Sequence, residues 1–112
     1  MSDAAGLLPR LEARLAALAT QGRTTTYGAL AAELAIPGPG SIAKLTAALE
    51  TLMEADAAAN RPLRAALCEA RQAAGLPAPG FFDKAKELGF DVSNSAGFVA
   101  EQRAALLQSN CT

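Results

Sequence analysis

The segment TTTYGALAAEL, residues Thr24 to Leu34, decides the fold together with the two segments that follow it, AIPGPG at positions 35–40 and a longer one from Ser41 to Ala55. The tyrosine and the leucines of the first segment recur at helical spacing, which predicts a short helix that begins at Tyr27. The prolines and glycines of the second segment cannot continue that helix and predict a chain reversal. The third segment predicts a longer helix, so the three together predict a helix-turn-helix unit over about residues 25–55.

The longer helix has two distinct sides. Ser41 is a suitable N-cap for it, and Asn60 is a suitable residue to end it. Its large apolar residues recur at spacings of three and four and are expected to face the core: Ile42, Leu45, Leu49, Leu52 and Met53. The other side is expected to face solvent or a partner and consists of Lys44, Ala47, Ala48, Glu50, Thr51 and Glu54.

The flanking regions predict further helices and one strand. A leucine stripe predicts a first helix over Gly6–Thr20, which Gly22 ends as a left-handed cap. Leu63–Cys68 is the best strand candidate, and it belongs to a strand or wing region of about residues 61–75. Two C-terminal helices are expected within about residues 81–107.

We therefore expect a single domain over residues 1–112. Its predicted class is mostly α: a small winged-helix-like helix-turn-helix domain with at most a two- or three-stranded small sheet and extra C-terminal helices.

The composition narrows the classes of function. The formal net charge is -1, whereas a dedicated nucleic-acid binder usually carries a basic excess. The chain has no histidine and therefore lacks the commonest general base and metal ligand. We expect no enzyme activity, no metal and no cofactor. Cys68 and Cys111 form no CxxC pair, and no apolar run approaches the roughly 18 residues of a membrane span, so we expect a cytoplasmic protein without membrane contact.

The sequence TTYGALA at residues 25–31 resembles the start of the winged helix-turn-helix domain of alkylguanine-DNA alkyltransferases and alkyltransferase-like proteins. In that family a Pro-containing turn and a recognition helix ending in Ala-Leu or Ala-Met follow, matched here by Ala48–Leu49. A Pro-led catalytic segment comes next and corresponds to Pro62–Cys68. The resemblance covers about Thr24–Ala70 and implies a winged-helix scaffold and contact with DNA.

The catalytic residues of that family do not carry over. The acceptor cysteine of the family directly follows the proline, where this chain has Leu63, and its activating histidine corresponds to Arg64. The arginine that enters the base stack would fall near Ala43. Tyr27 does match, at a position where the family's tyrosine touches the backbone phosphate of a flipped nucleotide. The resemblance therefore does not imply alkyl transfer.

Two hypotheses of different classes remain open. In the first, the chain is a small helix-turn-helix module that binds DNA weakly or as part of a complex, and the candidate contacts are Thr25, Tyr27, Ser41, Lys44, Arg61, Arg64 and Arg71. Each of these residues also has an ordinary structural or surface interpretation: Tyr27, for example, can pack beneath its helix.

In the second hypothesis, the scaffold binds another protein or a second copy of itself. The segment around Pro77, Pro79, Phe81 and Phe82 is then a candidate binding surface, although adjacent phenylalanines can equally anchor the C-terminal helices to the core. The charge distribution separates the two hypotheses. Arginines on the same face as Ser41 and Lys44 would favour DNA, whereas Glu50 and Glu54 on that face would favour a protein partner.

Overall fold

The computed structural model describes residues 3–70 and 75–109, with side chains from residue 6 to residue 107 within those ranges. Five α-helices lie in this part of the chain: α1 Asp3–Gln21, α2 Tyr27–Glu33, α3 Ser41–Ala58, α4 Pro79–Glu87 and α5 Ser95–Ser109. A short 3₁₀ helix spans Arg64–Leu67, and the two strands are β1 Thr25–Thr26 and β2 Cys68–Glu69. The prediction of a mostly helical domain with at most a small sheet is confirmed.

The sheet joins the start of the helix-turn-helix unit to the end of the 3₁₀ helix. β1 and β2 are parallel, with Thr25 paired to Cys68 and Thr26 to Glu69. Thr24 precedes β1, and its hydroxyl donates to the Glu69 carboxylate. Within residues 61–70 the chain therefore forms a parallel pair with a distant segment, which differs from the local hairpin of a typical wing.

The predicted strand Leu63–Cys68 is wrong over most of its length, because Arg64–Leu67 is a 3₁₀ helix and Cys68 is the first residue of β2. Two distant side chains explain the difference. The backbone N–H of Leu63 donates to Gln102 Oε1 at 2.7 Å, and the N–H of Arg64 donates to Asp56 Oδ2 at 3.1 Å. These acceptors satisfy the amides at the start of the turn without a neighbouring strand.

The helix-turn-helix unit begins as predicted, since Thr26 is the N-cap of α2 and its Oγ1 accepts from the Ala29 N–H at 3.1 Å. Helix α2 has only 7 residues and is held on α1 by two arginines. Arg14 forms a two-pronged ion pair with Glu33, with N–O distances of 3.1 and 2.9 Å. Arg10 Nη1 donates to the carbonyl of Leu34, at the end of α2, at 2.6 Å. The side chains of α1 thus complete a helix that is too short to be stable alone.

Helix α3 differs from the prediction at its first two residues. Its N-cap is Gly40, with φ of 82°, and Ser41 is the first helical residue, so the predicted serine cap is wrong. Ile42 is 44% exposed, so its predicted place in the core is also wrong. The other four predicted core residues of this helix are buried: Leu45, Leu49, Leu52 and Met53. The first turn of α3 therefore projects beyond the core.

Left-handed residues follow four of the helices, and Ala35 after α2 is one of them, with φ of 53°. Gly22 and Asn60 have φ of 68° and 59° and follow α1 and α3, as the sequence predicts. Gly89, with φ of 100°, follows α4, and the amide of Phe90 donates back to the carbonyl of Ala85 at 3.0 Å. These left-handed caps change the direction of the chain at the helix ends, so that successive helices can pack on one another.

The core lies where α1, α3 and α5 surround the 3₁₀ helix. Its fully buried members include Leu11, Leu15, Leu18, Leu30, Leu45, Met53, Leu63 and Val99. Arg103 of α5 reaches over this core, and its guanidinium donates to the carbonyls of Ala66 and Gly75, both at 2.8 Å. The 3₁₀ helix is thus held by hydrogen bonds as well as by apolar packing.

No helix in the part of the chain that the structure describes is long and apolar enough to cross a lipid bilayer.

Candidate functional site

Tyr27, the residue that the resemblance places against a phosphate, makes a hydrogen bond inside the protein. Its hydroxyl accepts from the backbone N–H of Ala78 at 3.1 Å, and its ring packs against the core. Burial raises the pKa of Tyr27, and the Ala78 hydrogen bond offsets only part of that rise. The side chain therefore ties the start of α2 to the loop before α4, which is the structural interpretation of this tyrosine.

We expect Tyr27→Phe to lower the free energy of unfolding by about 1–2 kcal/mol, because it leaves the partly buried Ala78 N–H without its acceptor. Urea denaturation measures this loss. Because the pKa of Tyr27 is raised in the folded state, the stability that its neutral form contributes is lost as the pH rises above 10. Wild type should therefore lose stability there, and Tyr27→Phe should lose less. Equal stability of the two proteins at neutral pH would contradict this role.

Two of the three candidate wing arginines, Arg61 and Arg64, lie around one buried carboxylate. Asp56 of α3 is fully buried, and Arg64 holds it through Nε and Nη2 at 3.1 and 2.8 Å. Arg64 also donates through Nη1 to Glu12 of α1 at 3.2 Å. Arg61 approaches the same Asp56 oxygen at 3.3 Å from the outside. Two cations and two carboxylates thus form one network at the C-terminal end of α3.

The environment of Arg64 keeps it charged. Burial alone would lower its pKa, but the hydrogen bonds and charges of Asp56 and Glu12 outweigh burial and raise it. Its side chain is only 19% exposed, whereas that of Arg61 is 55% exposed. Of the wing candidates in the described residues, Arg61 is thus the one that can reach an external anion. Arg71 lies outside the described residues.

Ser41 and Lys44 lie at the start of α3, far from these arginines, whereas Thr25 lies in β1 and pairs with Cys68. Lys44 is exposed, Ser41 and Thr25 are half-buried, and Thr25 contributes to β1. Twelve residues separate Lys44 from Asp56 along α3, which corresponds to about 18 Å of helix. The structure therefore brings Arg61 and Arg64 together but does not place them beside Ser41 and Lys44.

The two long sides of α3 carry opposite charge. Glu54 accepts from Lys84 of α4 at 2.6 Å, and Lys84 also binds Glu87 at 3.0 Å. These two carboxylates raise the pKa of Lys84. Glu50 lines a small cavity beside Phe81 on the same side. The flank of α3 that faces α4 is therefore acidic, whereas Lys44 lies on the flank that faces α1.

The Pro-Phe segment contributes to the core more than to the surface. Pro77 is fully buried and Phe81 is 5% exposed. Phe82 is half-buried and packs edge to face on Phe81, with ring centres 5.1 Å apart. Pro79 is exposed, but as the first residue of α4 it has an ordinary helix-starting role. The segment therefore anchors the C-terminal helices, as the structural alternative predicted.

A groove between α1 and the helix-turn-helix unit is a feature that the sequence did not reveal. It has a volume of about 400 Å³ and is lined by Leu7, Leu8, Arg10, Ala35, Ile36, Pro37, Lys44, Ala47, Ala48 and Thr51. Its lining is mostly apolar, and its two charged residues are both basic. Two features of the sequence could have indicated this groove. They are the adjacent leucines at the start of α1, of which a helical stripe needs only one, and the isoleucine in the turn.

Chemically reactive groups are scarce among the described residues. Cys68 is buried, and desolvation raises the pKa of its thiol to about 12, which keeps it protonated and unreactive at neutral pH. No cluster of three metal-ligating side chains occurs within residues 3–70 and 75–109.

Comparisons of the chain with protein-family models, with curated proteins and with solved structures find no match.

Proposed function

We propose that the chain is a non-catalytic protein-interaction module built on a helix-turn-helix scaffold. The observation that carries this proposal is the charge of α3, the helix that such a scaffold would place against DNA. Glu50 and Glu54 occupy one flank of α3, and Lys44 is the single basic residue of the whole helix. The open flank of α3 therefore offers a nucleic acid one cation, which gives few favourable phosphate contacts.

The arginine network supports the same proposal. A DNA-binding wing needs cations that are free to reach phosphates, but Arg64 is engaged by Asp56 and Glu12. Arg61 shares the Asp56 carboxylate. The two arginines therefore neutralise carboxylates of their own chain, and they leave little basic surface for a nucleic acid.

The segment that corresponds to the catalytic segment of the alkyltransferases supports a non-catalytic role. Leu63 is fully buried, and its backbone binds Gln102. Arg64 is fixed by two carboxylates. Neither residue offers a nucleophile or a base, so these positions serve packing and ion pairing.

Weak DNA binding is the second candidate function. The observation in its favour is the order of α2, turn and α3, with Lys44 exposed in the first turn of α3. Lys44 and Arg61 would then be the main phosphate contacts. Because the phosphate contacts are few, any affinity would be low and would depend only moderately on salt.

Two measurements on the same folded protein decide between these functions. The first is fluorescence anisotropy of a labelled DNA duplex at about 20 mM salt, where electrostatic binding is strongest. The second is selection of a random peptide library displayed on phage against the immobilised protein. We expect no salt-dependent DNA binding and clear enrichment of peptides.

The opposite pattern would overturn the proposal. Binding to the duplex with a log–log salt slope of about -2, reduced by about one in Lys44→Gln and in Arg61→Ala, would establish the DNA function. Lys86→Gln is the matched control, because Lys86 is an exposed lysine on α4, away from these contacts. A folded protein that enriches no peptide would equally reject the protein-interaction proposal.

A further inference from the structure

The groove has a continuous apolar floor that three separate segments build. Leu7 and Leu8 come from α1, Ile36 from the turn after α2, and Ala48 from the middle of α3. Leu7 and Ala48 are buried, and Leu8 and Ile36 are half-buried, so parts of these side chains remain open to the groove. A partner that covered this floor would gain from removing apolar surface from water.

The rim of the groove is basic. All ten lining residues lie in the described ranges, and none of them carries a carboxylate, whereas Arg10 and Lys44 are both cations. Arg10 is fixed, because its guanidinium donates to the carbonyls of Leu34 at 2.6 Å and Gly6 at 3.3 Å. Lys44 is held only by a bond of 3.4 Å to the carbonyl of Pro37. Arg10 thus supplies a fixed positive charge, and Lys44 supplies an ammonium that is free to turn towards an anion.

The shape of the groove suits a segment of protein better than a small molecule. Its walls include residues that remain exposed: Ala35, Pro37, Lys44, Ala47 and Thr51. A site for a small ligand usually surrounds most of the ligand surface, which an open wall of this kind does not do. A groove bordered by helices and by exposed residues instead matches the binding of an amphipathic helix by its apolar face.

We propose that this groove binds a short helical segment of a partner protein that presents apolar side chains flanked by aspartate or glutamate. The apolar side chains would contact Leu8, Ile36 and Ala48, and the carboxylates would pair with Lys44 and Arg10. Because the rim of the groove is basic, charge complementarity favours a partner segment that is acidic. This inference rests on the proposed function and adds the location and the chemistry of its binding surface.

The test uses the peptides enriched from the random library and two variants of the groove. Ala47→Trp places an indole over the floor from an exposed position, so it should block the groove while leaving the core intact. Lys44→Gln removes the mobile charge. Lys86→Gln removes a lysine of the same charge from α4, where it does not line the groove. Circular dichroism and urea denaturation establish that each variant is folded.

We expect the enriched peptides to combine large apolar residues with aspartate or glutamate. Their affinity should fall by about threefold to tenfold in Lys44→Gln, remain unchanged in Lys86→Gln and be lost in Ala47→Trp. Higher salt should weaken binding to the wild type more than to Lys44→Gln. Amide chemical shifts of Leu8, Ile36 and Ala48 should change when peptide is added.

Three results would overturn the inference while leaving the proposed function in place. They are enriched peptides that bind Ala47→Trp as tightly as the wild type, enriched peptides that are basic, and chemical-shift changes confined to another face. Displacement of the peptides by octanoate at equal concentration would assign the groove to a small carboxylate ligand and would also reject a protein segment as its occupant. Salt-dependent DNA binding without peptide enrichment would instead reject the proposed function itself.

Discussion

Replacing Asp56 by alanine is expected to lower the free energy of unfolding by about 3 kcal/mol or more. Asp56 is fully buried and accepts from the guanidinium and from the backbone N–H of Arg64. Its removal would leave a largely buried cation and a buried amide without their main acceptor, and breaking one half of such a pair costs about 3–5 kcal/mol. In the Asp56→Ala variant Arg64 would still be paired with Glu12, so we expect a loss near the lower end of this range.

Urea denaturation of three proteins tests this expectation. Arg61→Ala is the matched control, because Arg61 touches the same carboxylate from a side chain that is 55% exposed, and its loss should cost less than about 1 kcal/mol. The double variant Asp56→Ala with Arg64→Met removes both charges and should recover part of the loss. A loss below about 1 kcal/mol for Asp56→Ala alone would show that the network does not hold the 3₁₀ helix in place.

The network also explains which part of the fold the sequence could predict. The leucine stripes of α1 and α3 and the left-handed caps at Gly22 and Asn60 depend on neighbours within one turn, and these predictions hold. The conformation of residues 64–67 depends on acceptors from Asp56 and Gln102, which lie 8 and 39 residues from their donors. A local pattern of apolar residues cannot distinguish that environment from a strand.

The candidate site was even harder to predict from local sequence patterns than the 3₁₀ helix. Tyr27 matched a family position, but its hydroxyl is satisfied by Ala78, which is 51 residues away. The groove is assembled from α1, the turn and α3, and no single one of these segments has an unusual pattern by itself. Its basic character arises because Arg10 and Lys44, which are 34 positions apart in the sequence, lie on the same rim. Such sites depend on tertiary packing, which the periodicity of one segment does not encode.

Opposite charges on the two flanks of α3 connect the fold to the proposed function. The acidic flank with Glu54 is joined to α4 through Lys84, although the Glu54 side chain is itself 57% exposed. The basic flank with Lys44 faces the groove and is the part of α3 that remains available to a partner. Because the helix-turn-helix unit fixes α3 against α1, it also fixes the width of the groove. In the proposed function, the scaffold would therefore give the partner a surface that is formed before binding.

Leu49→Ala is expected to lower the free energy of unfolding by about 2–5 kcal/mol, the usual cost of emptying a buried leucine site. Leu49 is 3% exposed and lies in the middle of α3, where its loss would leave a cavity in the core. Ile42→Ala is the matched control in the same helix, since Ile42 is 44% exposed and should cost less than about 1 kcal/mol. The losses in the free energy of unfolding of both variants are obtained from the denaturation midpoints at equal m-values. Equal losses for the two variants would mean that the first turn of α3 is as buried as its centre.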